Sequence, residues 1–317
     1  MDKQMDKRAD TRRIIIFLAF AFGIAWVTGL VIYLTGGLTN SPQLFPHVSL
    51  ALVLLATAYM WAPALGNILT RLVTREGWKE VGLRPHFKKG WPYWLAGWVL
   101  PAGMTVFGAA VFFVFFPQYF DASLSLVRQQ TAASPALAAL SPWLFVAIQL
   151  VAAVLISPIA NSLATFGEEF GWRGYLMPKL MPLGGRKAML LIGLIWGVWH
   201  WPVIFMGYEY SFKYPGYPWA GPLLFIWVTF GFGTFLGWLT LRSKSIWPAV
   251  IGHAAINGIA AAAALVTTGQ PNPLLGPLPV GIIGSLGYAL VAIAIFVSPK
   301  GLKQSAISPQ PSEIINQ

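Results

Sequence analysis

The sequence places a small set of ionisable residues inside long apolar segments, where such groups are costly and therefore indicate a functional site. They are Glu168, Glu169, Arg173, His200 and His253, and Asn257 follows the last of them by four positions. Hydrolysis of a peptide bond needs a base that activates water, a group that moves a proton and donors that stabilise an oxyanion. Together these residue types favour peptide-bond hydrolysis at a membrane-embedded site.

Helical spacing gives the two adjacent glutamates different roles. Glu169 and Arg173 are four residues apart and share a helix face, so they can form an ion pair. Glu168 is rotated by about 140° from Arg173, which leaves its carboxylate free to face a cavity and act as the general base. Gly167 and Gly171 flank the pair, and their spacing is typical of closely packed membrane helices.

The histidines and the asparagine complete the proposed chemistry. His200 can hold the same water or shuttle a proton, whereas His253 and Asn257 share a face and suit the oxyanion of a tetrahedral intermediate. Counted at about 1.5 Å per residue from the cytoplasmic ends of the predicted spans, Glu168, His200 and His253 lie about 15, 18 and 12 Å deep. The three side chains are therefore expected at one level and in one site.

Composition identifies the chain as a multi-pass membrane protein. Apolar residues make up 56% of its 317 residues and charged residues only 10%, whereas about 25% charged residues is usual in soluble proteins. Residues 14–70 and 245–299 contain no Asp, Glu, Lys or Arg. The chain has no cysteine, which excludes disulfides, a thiolate nucleophile and cysteine-ligated metals.

The predicted fold is all-α, with about eight transmembrane helices. Each crossing needs about 20 apolar residues, and charges and Pro/Gly-rich breaks divide the chain accordingly. The predicted spans are 14–34, 48–70, 91–117, 142–177, 188–207, 221–241, 246–267 and 279–298.

The distribution of basic residues predicts the orientation. If the N-terminus lies in the cytoplasm and the chain crosses the membrane eight times, 18 of the 21 Lys and Arg residues fall in cytoplasmic segments. This is the bias that the positive-inside rule predicts. Both termini are then cytoplasmic, and the site lies in the cytoplasmic half of what is expected to be the plasma membrane. The net charge of +11 is explained by this topology, so the lipid bilayer and no nucleic acid is the expected partner.

The same layout divides the chain into five parts. They are a basic cytoplasmic tail (1–13), three N-terminal spans with their loops (14–141), the catalytic helices (142–267), a final span (268–298) and a polar tail (299–317). The polar tail is expected to be disordered, because it has little apolar surface to bury.

Three strings resemble the motifs of the CAAX prenyl protease and bacteriocin-processing (CPBP) family of intramembrane peptidases. The family motifs read EExxxR, FxxxH and HxxxN/B, and the matching strings here are 168-EEFGWR-173, 196-WGVWH-200 and 253-HAAIN-257. The resemblance covers roughly residues 142–267. Trp196 stands where the motif has Phe, a departure that is expected to affect the shape of the cavity rather than the chemistry.

The resemblance implies a role for each matched position. Glu168 corresponds to the catalytic glutamate and Glu169 to its neighbour paired with Arg173. His200 corresponds to the second catalytic residue, and His253 with Asn257 to the third element. The implied substrate is a membrane-associated peptide or protein, prenylated or not, cut from the cytoplasmic side.

Alternatives stay open at this point. Glu168, His200 and His253 could instead bind Zn²⁺ with one open position, but the base would then have to be Glu169, which helical phase assigns to Arg173. A mechanism with activated water and no cofactor is therefore favoured. A proton-coupled transporter and a non-catalytic scaffold or immunity protein are the other classes considered, since membrane Glu/His clusters also serve as proton relays.

Overall fold

The computed structural model describes residues 2–78 and 81–303, which are almost entirely helical. The α-helices are α1 (Asp2–Leu34), α2 (Leu50–Leu54), α3 (Met60–Thr74), α4 (Phe87–Phe115), α5 (Ser125–Thr131), α6 (Pro135–Ala138), α7 (Pro142–Leu155), α8 (Ser157–Ala160), α9 (Ser162–Gly171), α10 (Met177–Leu180), α11 (Gly185–Trp199), α12 (Trp201–Phe205), α13 (Ala220–Ser243), α14 (Trp247–Ile259) and α15 (Leu286–Val297). Two short antiparallel strands, β1 (Gln43–Phe45) and β2 (Val48–Ser49), separate α1 from α2. The predicted polar tail, 299–317, lies outside the described residues beyond position 303.

Short non-α turns complete the chain. The π-helical segments Leu55–Tyr59 and Trp172–Leu176 join α2 to α3 and α9 to α10. Segments of 3₁₀ helix cover Pro117–Tyr119, Met181–Leu183 and Ala262–Val266.

Several helices have the length and composition to cross a membrane, which confirms the all-α, polytopic class. Within the described ranges the long apolar helices are Asp10–Leu34, Leu50–Thr74, Phe87–Phe115, Ala220–Ser243 and Trp247–Val266. Two shorter apolar helices cover Pro142–Leu155 and Leu286–Val297. The structure thus has five long apolar helices where eight spans were predicted, and the count of eight stays a prediction.

The differences from the predicted spans fall at prolines. The predicted span 142–177 is divided into α7, α8, α9 and a π turn, with Pro158 near the first break and Pro178 just after the π turn. The predicted span 188–207 is divided at Pro202 into α11 and α12. Proline has no N–H for the carbonyl four residues earlier, which weakens a helix at that point, although α4 continues through Pro92 and Pro101.

Glycine allows the helices around the site to pack closely. A Cβ atom at Gly167 would lie 2.7 Å from the carbonyl oxygen of Met60, and one at Gly193 would lie 2.7 Å from the Cα of Phe230. The backbone of α9 therefore touches α3, and that of α11 touches α13, as small residues at fixed spacing permit in membrane proteins. These contacts bring α9, α11 and α14 around one interior space.

Candidate active site

Glu168 occupies the centre of the site. Its side chain is buried at 2% exposure, and its Oε2 accepts hydrogen bonds from Trp196 Nε1 at 2.7 Å and Trp172 Nε1 at 3.4 Å. Within the described part of the chain Oε1 has no hydrogen-bond partner. One carboxylate oxygen is therefore held in place while the other is available for a proton.

Glu169 has the different role that helical phase predicted. Arg173 Nη1 donates to its Oε1 at 2.9 Å, and both side chains are fully buried. The same oxygen lies 2.9 Å from Nδ1 of His253, so this one carboxylate ties α9 to α14. The contact with His253 was not foreseen, because no local spacing relates residues on separate helices.

Hydrogen bonding fixes the orientation of both histidine rings. Nδ1 of His200 lies 2.8 Å from the carbonyl oxygen of Trp196, and Nδ1 of His253 faces the carboxylate of Glu169. Since a carbonyl or carboxylate oxygen only accepts, Nδ1 is the protonated nitrogen in each ring. In a neutral ring Nε2 then carries a lone pair, so His253 can donate to an oxyanion only when it is doubly protonated.

One cavity of about 110 Å³ collects the predicted catalytic side chains. Its lining includes Glu168, His200, His253 and Asn257. That volume has room for several water molecules, and the polar groups needed to hold them are present. Glu169 and Arg173 do not line it, which agrees with their predicted structural role.

Trp196 connects the groups of the site. Its ring centroid lies 5.8 Å from that of His200 and 5.3 Å from that of His253, and the Arg173 guanidinium lies 4.8 Å over it. The expectation that its departure from the motif affects only shape is wrong, because the indole N–H hydrogen-bonds to Glu168 and phenylalanine has no such donor.

Replacing Trp196 by Phe is expected to lower kcat about 10- to 100-fold, the usual worth of a hydrogen bond to a charged group. Turnover of a membrane-tethered peptide by the purified protein measures the effect. Trp201→Phe is the matched control, because Trp201 Nε1 donates to the carbonyl of Pro222 and lies outside the cavity. Equal turnover in the two variants would show that the indole donor has no part in the reaction.

His200 and Arg173 contact different parts of α13. Its ring contacts Phe225 with centroids 4.8 Å apart, whereas Arg173 Nη2 reaches the carbonyl of Gly233 at 3.4 Å. Those α13 positions are eight residues, or about 12 Å, apart. His200 therefore contacts α13 farther from Arg242, the basic end of that helix, than Arg173 does, and the common level of Glu168, His200 and His253 stays a prediction.

The cavity extends in the same direction as His200. Its lining includes Tyr208, Glu209 and Val280, from the loops that precede α13 and α15. These loops follow α11 and α12 in one case and α14 in the other. Because α11 begins beside Arg186 and α14 just after Lys244, the cavity extends from the middle of these helices away from their basic ends. Under the predicted orientation that direction leads away from the cytoplasm, and the placement of the site in the cytoplasmic half stays a prediction.

The donors proposed for Zn²⁺ do not form a ligand set. Within residues 2–78 and 81–303, no three His, Cys, Asp or Glu side chains are grouped so that they could hold a metal ion. Nδ1 of His253 already faces Glu169, and Oε2 of Glu168 already accepts two indole N–H groups. These residues therefore do not fit the predicted Zn²⁺ site.

The fold and the cavity define a helical membrane protein with a buried carboxylate site, and the part of the chain that forms the site is similar to known proteins. Residues 141–259 match the Rce1-like family of type II CAAX prenyl endopeptidases. A CAAX prenyl protease 2 from Methanococcus maripaludis is 37% identical over 97 residues, which are 30% of this chain and 35% of that protein. The family match covers less than half of the chain, and the aligned part spans about a third of the length of that relative.

Proposed function

We propose that this protein is an intramembrane endopeptidase that hydrolyses a peptide bond of a membrane-associated substrate. The observation that carries the proposal is the environment of the Glu168 carboxylate. Two indole N–H groups hold one of its oxygens, and its carboxylate lines a cavity shared with His200, His253 and Asn257. A scaffold or immunity protein would need no such cavity around a buried carboxylate.

The reaction begins with a water molecule between Glu168 and His200. Glu168 takes one proton of the water while the water oxygen attacks the carbonyl carbon of the peptide bond. Nε2 of His200 accepts a hydrogen bond from the second proton of the water. The carbonyl becomes a tetrahedral oxyanion. Collapse of this intermediate breaks the C–N bond, and Glu168 returns its proton to the departing amine.

The oxyanion is stabilised by Asn257 and by His253. The carboxamide of Asn257 has no hydrogen-bond partner within the described residues and lines the cavity, so its N–H₂ group is available. His253 contributes in its doubly protonated form, in which Nε2 also donates and Glu169 supplies the counter-charge. Arg173 and Glu169 hold His253 in position and do not touch the substrate.

The proposed substrate approaches from the face opposite the basic loops. Tyr208 and Glu209 of the loop 206–219 line the cavity, and the distribution of Lys and Arg predicts that this loop is extracytoplasmic. A substrate anchored in the membrane, prenylated or not, would present its peptide bond there. The name of the relative, a CAAX prenyl protease, supports a membrane-anchored substrate.

Cysteine labelling tests the orientation, because the chain contains no cysteine of its own. We expect a membrane-impermeant maleimide added to intact cells to label Lys213→Cys but not Lys187→Cys. Both lysines are exposed, one in the loop beside the cavity and the other near the start of α11. Labelling of Lys187→Cys alone would reverse the topology and place the cavity opening in the cytoplasm.

The activity itself is tested with the purified full-length protein in proteoliposomes and a panel of lipid-anchored peptides. Mass spectrometry of the products identifies the bond that is cut. We expect products that split at an internal peptide bond and are absent from protein-free liposomes. Intact peptides, together with proton flux across the same liposomes, would instead favour the transporter.

A further inference from the structure

The catalytic cavity adjoins a second, larger one. This second cavity has a volume of about 290 Å³ and lies among the loops that precede α13 and α15. Glu209 and Val280 line both spaces, so they mark the junction. A peptide that occupied both cavities would pass Glu209 before its backbone reached Glu168.

The walls of the second cavity are mostly apolar, and besides Glu209 they carry one polar side chain, Thr267, whose hydroxyl already donates to the carbonyl of Ala263. They include Leu126, Ala264, Leu278 and the prolines 271, 273 and 277. Glu209 is the only acidic residue that lines this cavity, and no Lys or Arg lines either cavity. In a chain with net charge +11, the path to Glu168 is thus lined by carboxylates without cations.

Glu209 itself has no cationic partner. None of the ion pairs within the described residues involves it, and its polar neighbour is the hydroxyl of Tyr208. Its backbone adopts φ of 66°, a left-handed conformation that non-glycine residues rarely adopt and that often marks functional positions. Burial raises the pKa of Glu209 to about 7, as expected for a carboxyl group without a counter-ion.

We propose that Glu209 is a specificity residue that binds a cationic group, a lysine or arginine side chain, of the peptide substrate at the junction of the two cavities. This inference rests on the proposed peptidase function and adds to it the chemistry of the preferred substrate. A charge-assisted hydrogen bond to a carboxylate in apolar surroundings is among the stronger polar contacts. It would fix the register of the peptide relative to Glu168.

Matched peptides test the proposal. Two short apolar peptides, identical except for one lysine or glutamine, are compared by kcat/KM with the full-length protein in detergent. We expect the lysine peptide to be preferred about 10- to 100-fold and the preference to fall to about one in Glu209→Gln. Lys213→Gln, in the same loop but outside both cavities, should keep it, and Glu209→Asp should restore part of it.

The pH dependence supplies a readout that a merely structural role would not change. A carboxylate binds a cation only when ionised, so the preference should be present at about pH 8 and strongly reduced at about pH 6, either side of the pKa near 7. The charge of Glu209 raises the pKa of Tyr208, and burial raises that of Tyr210, so both hydroxyls stay protonated. Glu168, His200 and His253 act on both peptides, so the ratio isolates Glu209.

Binding separates this proposal from the peptidase function. The Glu168→Gln variant should bind the lysine peptide more tightly than the glutamine peptide even if no peptide is ever cut. If Glu209→Gln fails to fold, Glu209→Lys is tested with a glutamate peptide, for which the preference should reverse. Equal binding of lysine and glutamine peptides, or a preference that survives in Glu209→Gln, would overturn the assignment.

Discussion

Glu168→Gln is expected to reduce peptide cleavage by about 10²- to 10⁴-fold, the usual contribution of a general base. Glutamine has nearly the same volume, and its carbonyl oxygen can still accept the Trp196 and Trp172 N–H groups. The variant should therefore fold and insert normally while lacking the base. Initial rates with a lipid-anchored peptide in proteoliposomes measure the loss.

Glu76→Gln is the matched control for this experiment. Glu76 lies at the basic end, where it pairs with Lys179 at 2.7 Å and lies outside the cavity. The same chemical change there should leave the rate close to that of the wild type. Undiminished cleavage by Glu168→Gln would remove the proposed base, and an equal loss in both variants would point to a general effect of charge removal.

Glu169→Gln is expected to act on stability instead. It would leave the guanidinium of Arg173, which is 1% exposed, without its counter-ion and weaken the contact with His253. Breaking a buried ion pair from one side costs about 3–5 kcal/mol. Thermal unfolding of the purified protein in detergent should show a large drop in midpoint, in contrast to Glu168→Gln.

The double variant Glu169→Gln/Arg173→Met separates loss of the pair from loss of one partner. Replacing both members of a buried ion pair is often close to neutral, because no uncompensated charge remains. We expect the double variant to regain much of the stability lost in Glu169→Gln. A double variant as unstable as the single one would show that the cost arises elsewhere, for example at His253.

Local periodicity foretold those parts of the site that lie within one helix. The four-residue spacing of Glu169 and Arg173 predicted their ion pair. The position of Glu168 on another side of the same helix predicted that its carboxylate would face a cavity instead. The contact between Glu169 and His253 depends on how α9 and α14 pack, which spacing within a helix does not encode. The departure of Trp196 from the family motif was a visible signal that this position carries a hydrogen-bond donor. Nothing in the sequence indicated that Glu168 would be the acceptor.

The predicted depths and span boundaries rest on one physical assumption. Counting from span ends assumes unbroken helices of equal tilt, whereas Pro158, Pro178 and Pro202 lie at or near interruptions in two of them. His200 consequently lies at the end of α11, whereas the predicted span continued to residue 207. Glu209 lies in a loop without periodicity, so nothing in the sequence linked it to the cavity.

The central claim is that Glu168 activates water rather than attacking the peptide itself, and isotope transfer tests it most directly. Excess enzyme is given a single turnover in oxygen-18 water, and both the product and the enzyme peptide containing Glu168 are analysed by mass spectrometry. Activated water predicts one labelled oxygen in the new carboxyl group of the product and none in Glu168. Label in the Glu168 side chain would reveal a covalent acyl intermediate and contradict the mechanism.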